Sequence, residues 1–431
     1  MRFHPAVLML IVWCSAFAAF IILPFEFVHR SIEVEGVMVL VLNLGVFVLG
    51  GLMRTVYLPQ HPVIDPTRLQ MRRADLLLKA LALLACATMG LEVVRGGSLD
   101  LTAAYSTRSD QAQAMLNGAL SQSSGIFKIG FICYPAGYIF LVRSVLLDAK
   151  PKWTQVIIFG VLPGVLAGLA MGGRAPIFNT MAYGFLAYMA RGWLYQRNRS
   201  SDAPKVRKVN PLIKIGAIVG GVVAFNYFIN VFIVRAEVVG GADLMLSIAA
   251  TQWGVTFGGP GAEFMISIFG PVTTYLIFVF AWYLVQGVVM SNSLFMNYGG
   301  DALMGVYGID ILTAIMRRID PAGVSNGFNY LLNLDTYGFF PSAFGTLYVD
   351  FLYGGLVFAF VWGWLAGVVY RNIRRGLDPR WFIFAPFVTL GVIFSLINTP
   401  IGFSNGFITH FWLVVTFLLI RRPRAPMPAR A

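Results

Sequence analysis

Three stretches of the chain, Pro5–Leu23, Thr154–Gly173 and Ile215–Val234, run for 19 or 20 residues without a charged side chain. A hydrocarbon layer of about 30 Å asks for about 20 apolar residues in a helix, each advancing about 1.5 Å. A helix of that length that is apolar all round has no face to offer water. Across the 431 residues, 58% are apolar and only 12% are charged, against about 25% charged in soluble domains. The pattern excludes a soluble globule and predicts an all-α polytopic integral membrane protein.

Continuing along the chain, spans are expected near residues 5–24, 36–53, 76–92, 126–142, 154–173, 175–191, 212–234, 268–290, 345–370, 381–398 and 404–420. The whole of 1–431 reads as a single transmembrane domain, without internal repeat or low-complexity segment. Met1–Leu23 has the outline of a signal peptide, but its apolar core is too long, and it reads as the first span. Connections of note are 92–125, an amphipathic outer segment; 195–211, a basic cytoplasmic loop; 236–341, an outer region with room for re-entrant or broken helices; and 421–431, a cytoplasmic tail. Cys14, Cys86 and Cys133 lie in apolar stretches, without the paired spacings of a disulfide framework or metal site.

Charge orients these spans, because Lys and Arg are retained in cytoplasmic loops. Alternating the sides puts all but eight of the 32 Lys and Arg residues on one side, with only Asp65, Asp75, Asp148, Asp202 and Asp378 as acids there. Both termini are therefore expected in the cytoplasm. The formal charge of +13 is a topology signal and does not point to nucleic acid. Trp153, Trp193, Trp381 and Trp412 fall at expected span ends, as interface anchors do. One stretch breaks the alternation. Arg235 and Phe340 both fall outside, so an even number of crossings must separate them, yet Phe264–Met290 offers one clear span. Either a poorer crossing exists near Ala302–Met316, giving about 12 in all, or part of the stretch is re-entrant, which is tolerated only within protein or a watery cavity.

The outer basic residues are Arg30, Arg95, Arg108, Lys128, Arg174, Arg235, Arg317 and Arg318. Guanidinium binds phosphate oxygens in bidentate fashion and stays charged in a low-dielectric cleft, so arginine on this side points to an anionic ligand. Arg174 sits in a hairpin with almost no loop, and Arg235 closes an apolar run; both are pinned at the membrane surface. The alternative for Arg235 is pairing with Glu237 or snorkelling to headgroups. Candidate bases are Glu237, Glu263, Asp301, Asp310, Asp320, Asp335 and Asp350. Asp350 stands out because it falls at the entry of an apolar span, where a carboxylate needs a partner; its bland reading is a helix N-terminal acid favoured by the dipole. His4, His29, His61 and His410 are scattered. No HExxH, GxSxG or Walker spacing is present, and the outer acids show no metal-ligand spacing, so no cofactor is expected.

The segment Asn333-Leu-Asp-Thr-Tyr337-Gly-Phe-Phe340-Pro-Ser-Ala-Phe-Gly-Thr-Leu-Tyr-Val-Asp350-Phe-Leu-Tyr-Gly354-Gly355, followed by Gly363-Trp-Leu-Ala-Gly367, resembles the late segment of bacterial oligosaccharide repeat unit polymerases, the Wzy-type O-antigen polymerases. Gly97 through Arg108, Gly172-Gly-Arg174, Arg235, and Tyr283-Leu-Val-Gln286-Gly287 followed by Asn292 are similar in order. The resemblance implies a GT-C-like helical bundle in the bacterial inner membrane, with its site facing the periplasm. Its substrate would be an oligosaccharide on undecaprenyl diphosphate, its setting membrane lipid, with a chain-length regulator protein as a partner. On this expectation Arg174 and Arg235, with Arg317, Arg318 and Arg108, hold the diphosphate. Asp350 or Glu237 takes the acceptor proton, and Tyr283, Gln286, Asn329, Asn333 and Tyr337 position sugars. An O-antigen ligase would use the same lipid-linked donor. A flippase or secondary transporter would instead place polar groups at the membrane midplane.

Overall fold

The computed structural model describes residues 3–27, 32–53, 69–96, 124–197, 211–258, 261–336, 339–376, 378–402 and 404–421. Arg30, Arg108, Tyr337, most of the 92–125 and 195–211 connections and the tail beyond Arg421 lie outside them. Helix dominates. In chain order come α1 (Pro5–Ile22), α2 (Val34–Leu52), α3 (Arg72–Gly96), α4 (Gly125–Cys133) and α5 (Pro135–Leu147). Then follow α6 (Leu162–Ala170), reached through a π-helical stretch Val156–Val161, α7 (Ala175–Arg197), α8 (Pro211–Val239), α9 (Ala242–Thr251) and α10 (Gly261–Asn297). The chain continues through α11 (Asp310–Ile319), α12 (Pro321–Asn333), α13 (Ser342–Phe351), α14 (Gly355–Arg375), α15 (Ala385–Ile393) and α16 (Gly406–Leu419). Among the described residues, the strands are β1 (Phe25–Phe27) and β2 (Val255–Phe257), paired antiparallel with Phe25 opposite Phe257.

Nine helical stretches among the described residues are long and apolar enough to cross a membrane. They coincide with nine of the expected spans. The two others differ: α7 has 23 residues but is more polar, carrying Asn179, Thr180 and Arg191, and α16 has 14 residues, reaching about 21 Å of the roughly 30 Å required. The crossing expected near Ala302–Met316 does not form. That stretch holds a turn and the start of α11, a 10-residue amphipathic helix ending in Arg317 and Arg318, about 15 Å long.

Helix α10 is bent. Gly270 takes φ 75° and ψ 165°, a conformation closed to ordinary side chains, and Pro271 after it has no N–H for the ladder, so the helix kinks there. Beyond the kink, the Phe25 ring lies 5.7 Å from Phe278 and 6.1 Å from Trp282. Further on, Asn292 bonds both main-chain groups of Glu33, accepting from its N–H at 3.1 Å and donating to its carbonyl at 2.7 Å. Trp282 and Asn292 therefore both lie against the segment joining α1 to α2.

Three apolar clusters hold the bundle. One joins α3, α5, α7 and α15 around Tyr138, Phe140 and Phe387; a second joins α1, α2, α10, α13 and α14 around Trp13, Phe47 and Phe344; a third joins α8, α9, β2 and α10 around Phe278 and Trp282. Helices α2 and α14 approach closest, through glycines. A Cβ on Gly363 would strike the Phe47 carbonyl, and one on Gly50 the Phe360 carbonyl. This is the close backbone packing that small residues permit inside membranes. At the end of the bundle formed by the α5–α6 connection, Arg143 pairs with Asp75 and with Asp148 at 3.0 Å. Arg191 donates to the carbonyls of Asp148 at 2.7 Å and Ala149 at 2.8 Å, capping the end of α5. Burial pushes the Asp148 carboxyl up from its ordinary value, with Arg143 opposing.

Candidate functional site

The α6–α7 hairpin turns at Gly172-Gly173 and projects Arg174 toward α8 and α10. Gly172 has φ 54°, and the Gly173 N–H donates to the Gly168 carbonyl at 2.9 Å. The Arg174 guanidinium carbon stands 3.7 Å from the centroid of the Phe232 ring, inside cation–π range. Its Nη2 donates a long hydrogen bond of 3.5 Å to the Tyr283 hydroxyl. The Tyr283 ring lies 6.1 Å from Phe232 and 6.0 Å from Phe340.

Arg235 follows Phe232 by three residues on α8, so it occupies the same helix face one turn on. Gln286 follows Tyr283 by three residues on α10 and is buried, at 2% exposure. Of the candidates named above, the structure thus brings Arg174 and Tyr283 into contact and places Arg235 and Gln286 one turn along from Phe232 and Tyr283. Glu237 is exposed on α8, two residues beyond Arg235. One turn beyond Arg174, Phe178 packs on Phe228 of α8 and on Phe394, which closes the group from the side of α15.

Asp350 is elsewhere and differently placed. It is the penultimate residue of α13, not the first turn of a helix, because the chain breaks at Leu352, with φ 50°, before α14 begins at Gly355. At 2% exposure, its two oxygens accept the main-chain N–H groups of Tyr307 and Gly308, each at 2.9 Å. Two more main-chain bonds, Leu303 N–H to the Val349 carbonyl at 3.2 Å and Met304 N–H to the Asp350 carbonyl at 2.8 Å, strap residues 303–308 onto the end of α13. A side chain at Gly308 would collide with the Asp350 carboxylate. The reading of a helix N-terminal acid is therefore overturned, and the partner that a carboxylate in an apolar stretch needs is the main chain of Tyr307 and Gly308.

The remaining candidates scatter. Arg317 is buried and lies 5.8 Å from the Phe328 ring of α12, while Arg318 is exposed. Asn329 is half-buried and donates to the Ser325 hydroxyl at 3.5 Å; Asn333 is exposed at the end of α12. Arg108 and Tyr337 lie outside the described residues. Sequence reading missed Phe232, the platform for Arg174. Its three-residue spacing before Arg235 was the available signal, but aromatic residues in an apolar run more often meet lipid or core. It also missed Trp282, four residues before Gln286. No family model, no curated protein and no solved structure matches the chain.

Proposed function

We propose that the chain is a metal-independent membrane glycosyltransferase that polymerises oligosaccharide repeat units carried on undecaprenyl diphosphate, at the outer face of the bacterial inner membrane. The observation that carries this reading is Arg174 stacked on Phe232 beside the Tyr283 hydroxyl, with Arg235 one turn away. Ring packing holds a guanidinium in place without neutralising it, so its charge stays available to an anion.

In the proposed reaction the acceptor hydroxyl attacks the anomeric carbon of the donor glycan. The new glycosidic C–O bond forms as the bond to the lipid diphosphate breaks, and the diphosphate departs with the electron pair. Arg174 and Arg235 neutralise the charge that builds on it, and donors placed where charge develops are the strongest lever such a site has. The acceptor proton passes to an outer acid. Glu237 is assigned this role because it is exposed at the same end of α8 as Arg235, whereas both Asp350 oxygens are engaged by main chain. Arg174→Ala and Arg235→Ala should each abolish long surface glycan at unchanged protein level; normal chain lengths in both would remove the assignment. A deletion strain separates polymerase from ligase, because loss of a polymerase leaves single repeat units on the surface and loss of a ligase leaves none. Purified protein that moves lipid-linked oligosaccharide across a bilayer without lengthening it would identify a transporter.

A further inference from the structure

Two buried side chains on α10, within one turn of the Tyr283 that meets Arg174, carry donors without a partner among the described residues. Trp282 is 3% exposed and Gln286 2% exposed. Among the described residues, neither the Trp282 indole N–H nor the Gln286 amide nitrogen has a hydrogen-bond partner. Buried donors are nearly always satisfied, so an orphaned pair calls for an explanation. The two stand four residues apart on α10 and so share a face. Tyr283, which receives the Arg174 hydrogen bond, is three residues from Gln286 on the same helix. The adjacent rings of Phe339 and Phe340 cover the group, 6.3 Å from Trp282 and 6.0 Å from Tyr283.

Arg174 and Trp282 carry donors only, Tyr283 and Gln286 carry an acceptor oxygen as well, and none of the four is a carboxylate, so donors outnumber acceptors and the one charge is positive. A sugar hydroxyl set brings as many protons as acceptors and would leave much of that donor excess unused. A phosphate oxygen only accepts, and bonds to a charged acceptor are the stronger kind. The geometry points to Trp282 and Gln286 as further donors to a phosphate-bearing ligand, extending the grip on the diphosphate from the two arginines onto α10. This rests on the glycosyltransferase reading above for the identity of the ligand as a lipid-linked diphosphate.

The test uses the full chain in nanodiscs, with undecaprenyl diphosphate as probe and undecaprenol as its uncharged control. Trp282→Phe keeps the ring and removes the N–H, and Gln286→Leu removes the amide at similar volume. Each should weaken undecaprenyl diphosphate binding by about tenfold or more, the scale of one hydrogen bond to a charged group. Undecaprenol binding should stay unchanged. Thermal stability should not fall in Gln286→Leu, because an orphaned donor contributes nothing to the fold, whereas Trp282→Phe also removes packed core volume and is judged by binding alone; a drop in Gln286→Leu stability with diphosphate binding retained would show a structural role and overturn the inference. Loss of binding in Arg174→Ala and Arg235→Ala, with wild-type affinity in Trp282→Phe and Gln286→Leu, overturns this inference and leaves the parent reading standing. A wild-type protein that binds undecaprenol and undecaprenyl diphosphate alike overturns both. Displacement by inorganic pyrophosphate assigns the bound portion to the diphosphate head, in support. Equal displacement by phosphatidylglycerol shows general headgroup adsorption and rejects it.

Discussion

The guanidinium carbon of Arg174 lies 3.7 Å from the ring centroid of Phe232, on a different helix. The contact fixes a long side chain whose freedom would otherwise have to be lost when a ligand binds. Phe232→Leu keeps apolar bulk but removes the π face, which is worth about 0.5–2 kcal/mol to a cation. The expected outcome is a several-fold rise in KM for lipid-linked oligosaccharide, read in a polymerisation assay with purified protein. Phe232→Tyr, which retains the face, should stay near wild type. Leucine and wild type giving equal KM would show that the ring does not organise Arg174.

Asp350 supplies the acceptors for two main-chain N–H groups, those of Tyr307 and Gly308. Alanine there leaves both donors buried and unbonded, at about 1–3 kcal/mol each. Asparagine keeps one acceptor oxygen and the shape. A carboxylate that positions the 303–308 strap predicts Asp350→Ala to be clearly less stable than Asp350→Asn in thermal unfolding, with Asp350→Asn retaining glycan polymerisation. A chemical role in taking the acceptor proton predicts instead that both variants are inactive, whatever their stability.

These two residues also mark what a sequence can and cannot disclose about such a protein. Uncharged apolar runs announce spans because hydrocarbon thickness sets their length, and nine of the expected stretches are helices of that kind. Arg174 and Arg235 stand out in the sequence because each is tied to the end of an apolar run. Their meeting through Phe232 depends on how two helices pack, and no local pattern encodes it. Asp350 shows the harder limit. Its surroundings depend on a chain break at Leu352, a residue with no breaking tendency, and on a strap some forty residues earlier in the chain. The contacts of α10 with the α1–α2 connection are equally hidden, since Phe25 and Glu33 are far from Trp282 and Asn292 in sequence.

The glycine contact between α2 and α14 yields a contrast within one helix. Gly50 meets the Phe360 carbonyl closely, whereas Gly45 has open space around its Cβ position. Gly50→Ala or Gly363→Ala must push two backbones apart, and overpacking of this kind costs about 1–3 kcal/mol. Gly45→Ala should instead be neutral or stabilising by up to about 1 kcal/mol, because alanine restricts the unfolded chain and favours helix. Melting temperatures in detergent should therefore fall for the first two variants and hold or rise for the third. Equal behaviour at positions 45 and 50 would mean that the helices do not touch there.

His4 caps α1, its Nδ1 accepting the Ala6 N–H at 3.2 Å, with its ring 4.7 Å from Tyr370. Burial, and then the neighbouring Arg371 charge, hold its pKa below the ordinary 6.5. The folded state therefore prefers neutral imidazole, while the unfolded chain takes up a proton more readily. Stability from this group is complete above about pH 6.5 and declines as pH falls below it, until the folded form also protonates. Protonation in addition removes the Nδ1 lone pair that caps the helix. Wild-type melting temperature in detergent should drop between about pH 6.5 and 5. The substitution His4→Asn supplies a cap that does not titrate and should flatten that drop. A slope that persists unchanged in His4→Asn assigns the pH response to other groups.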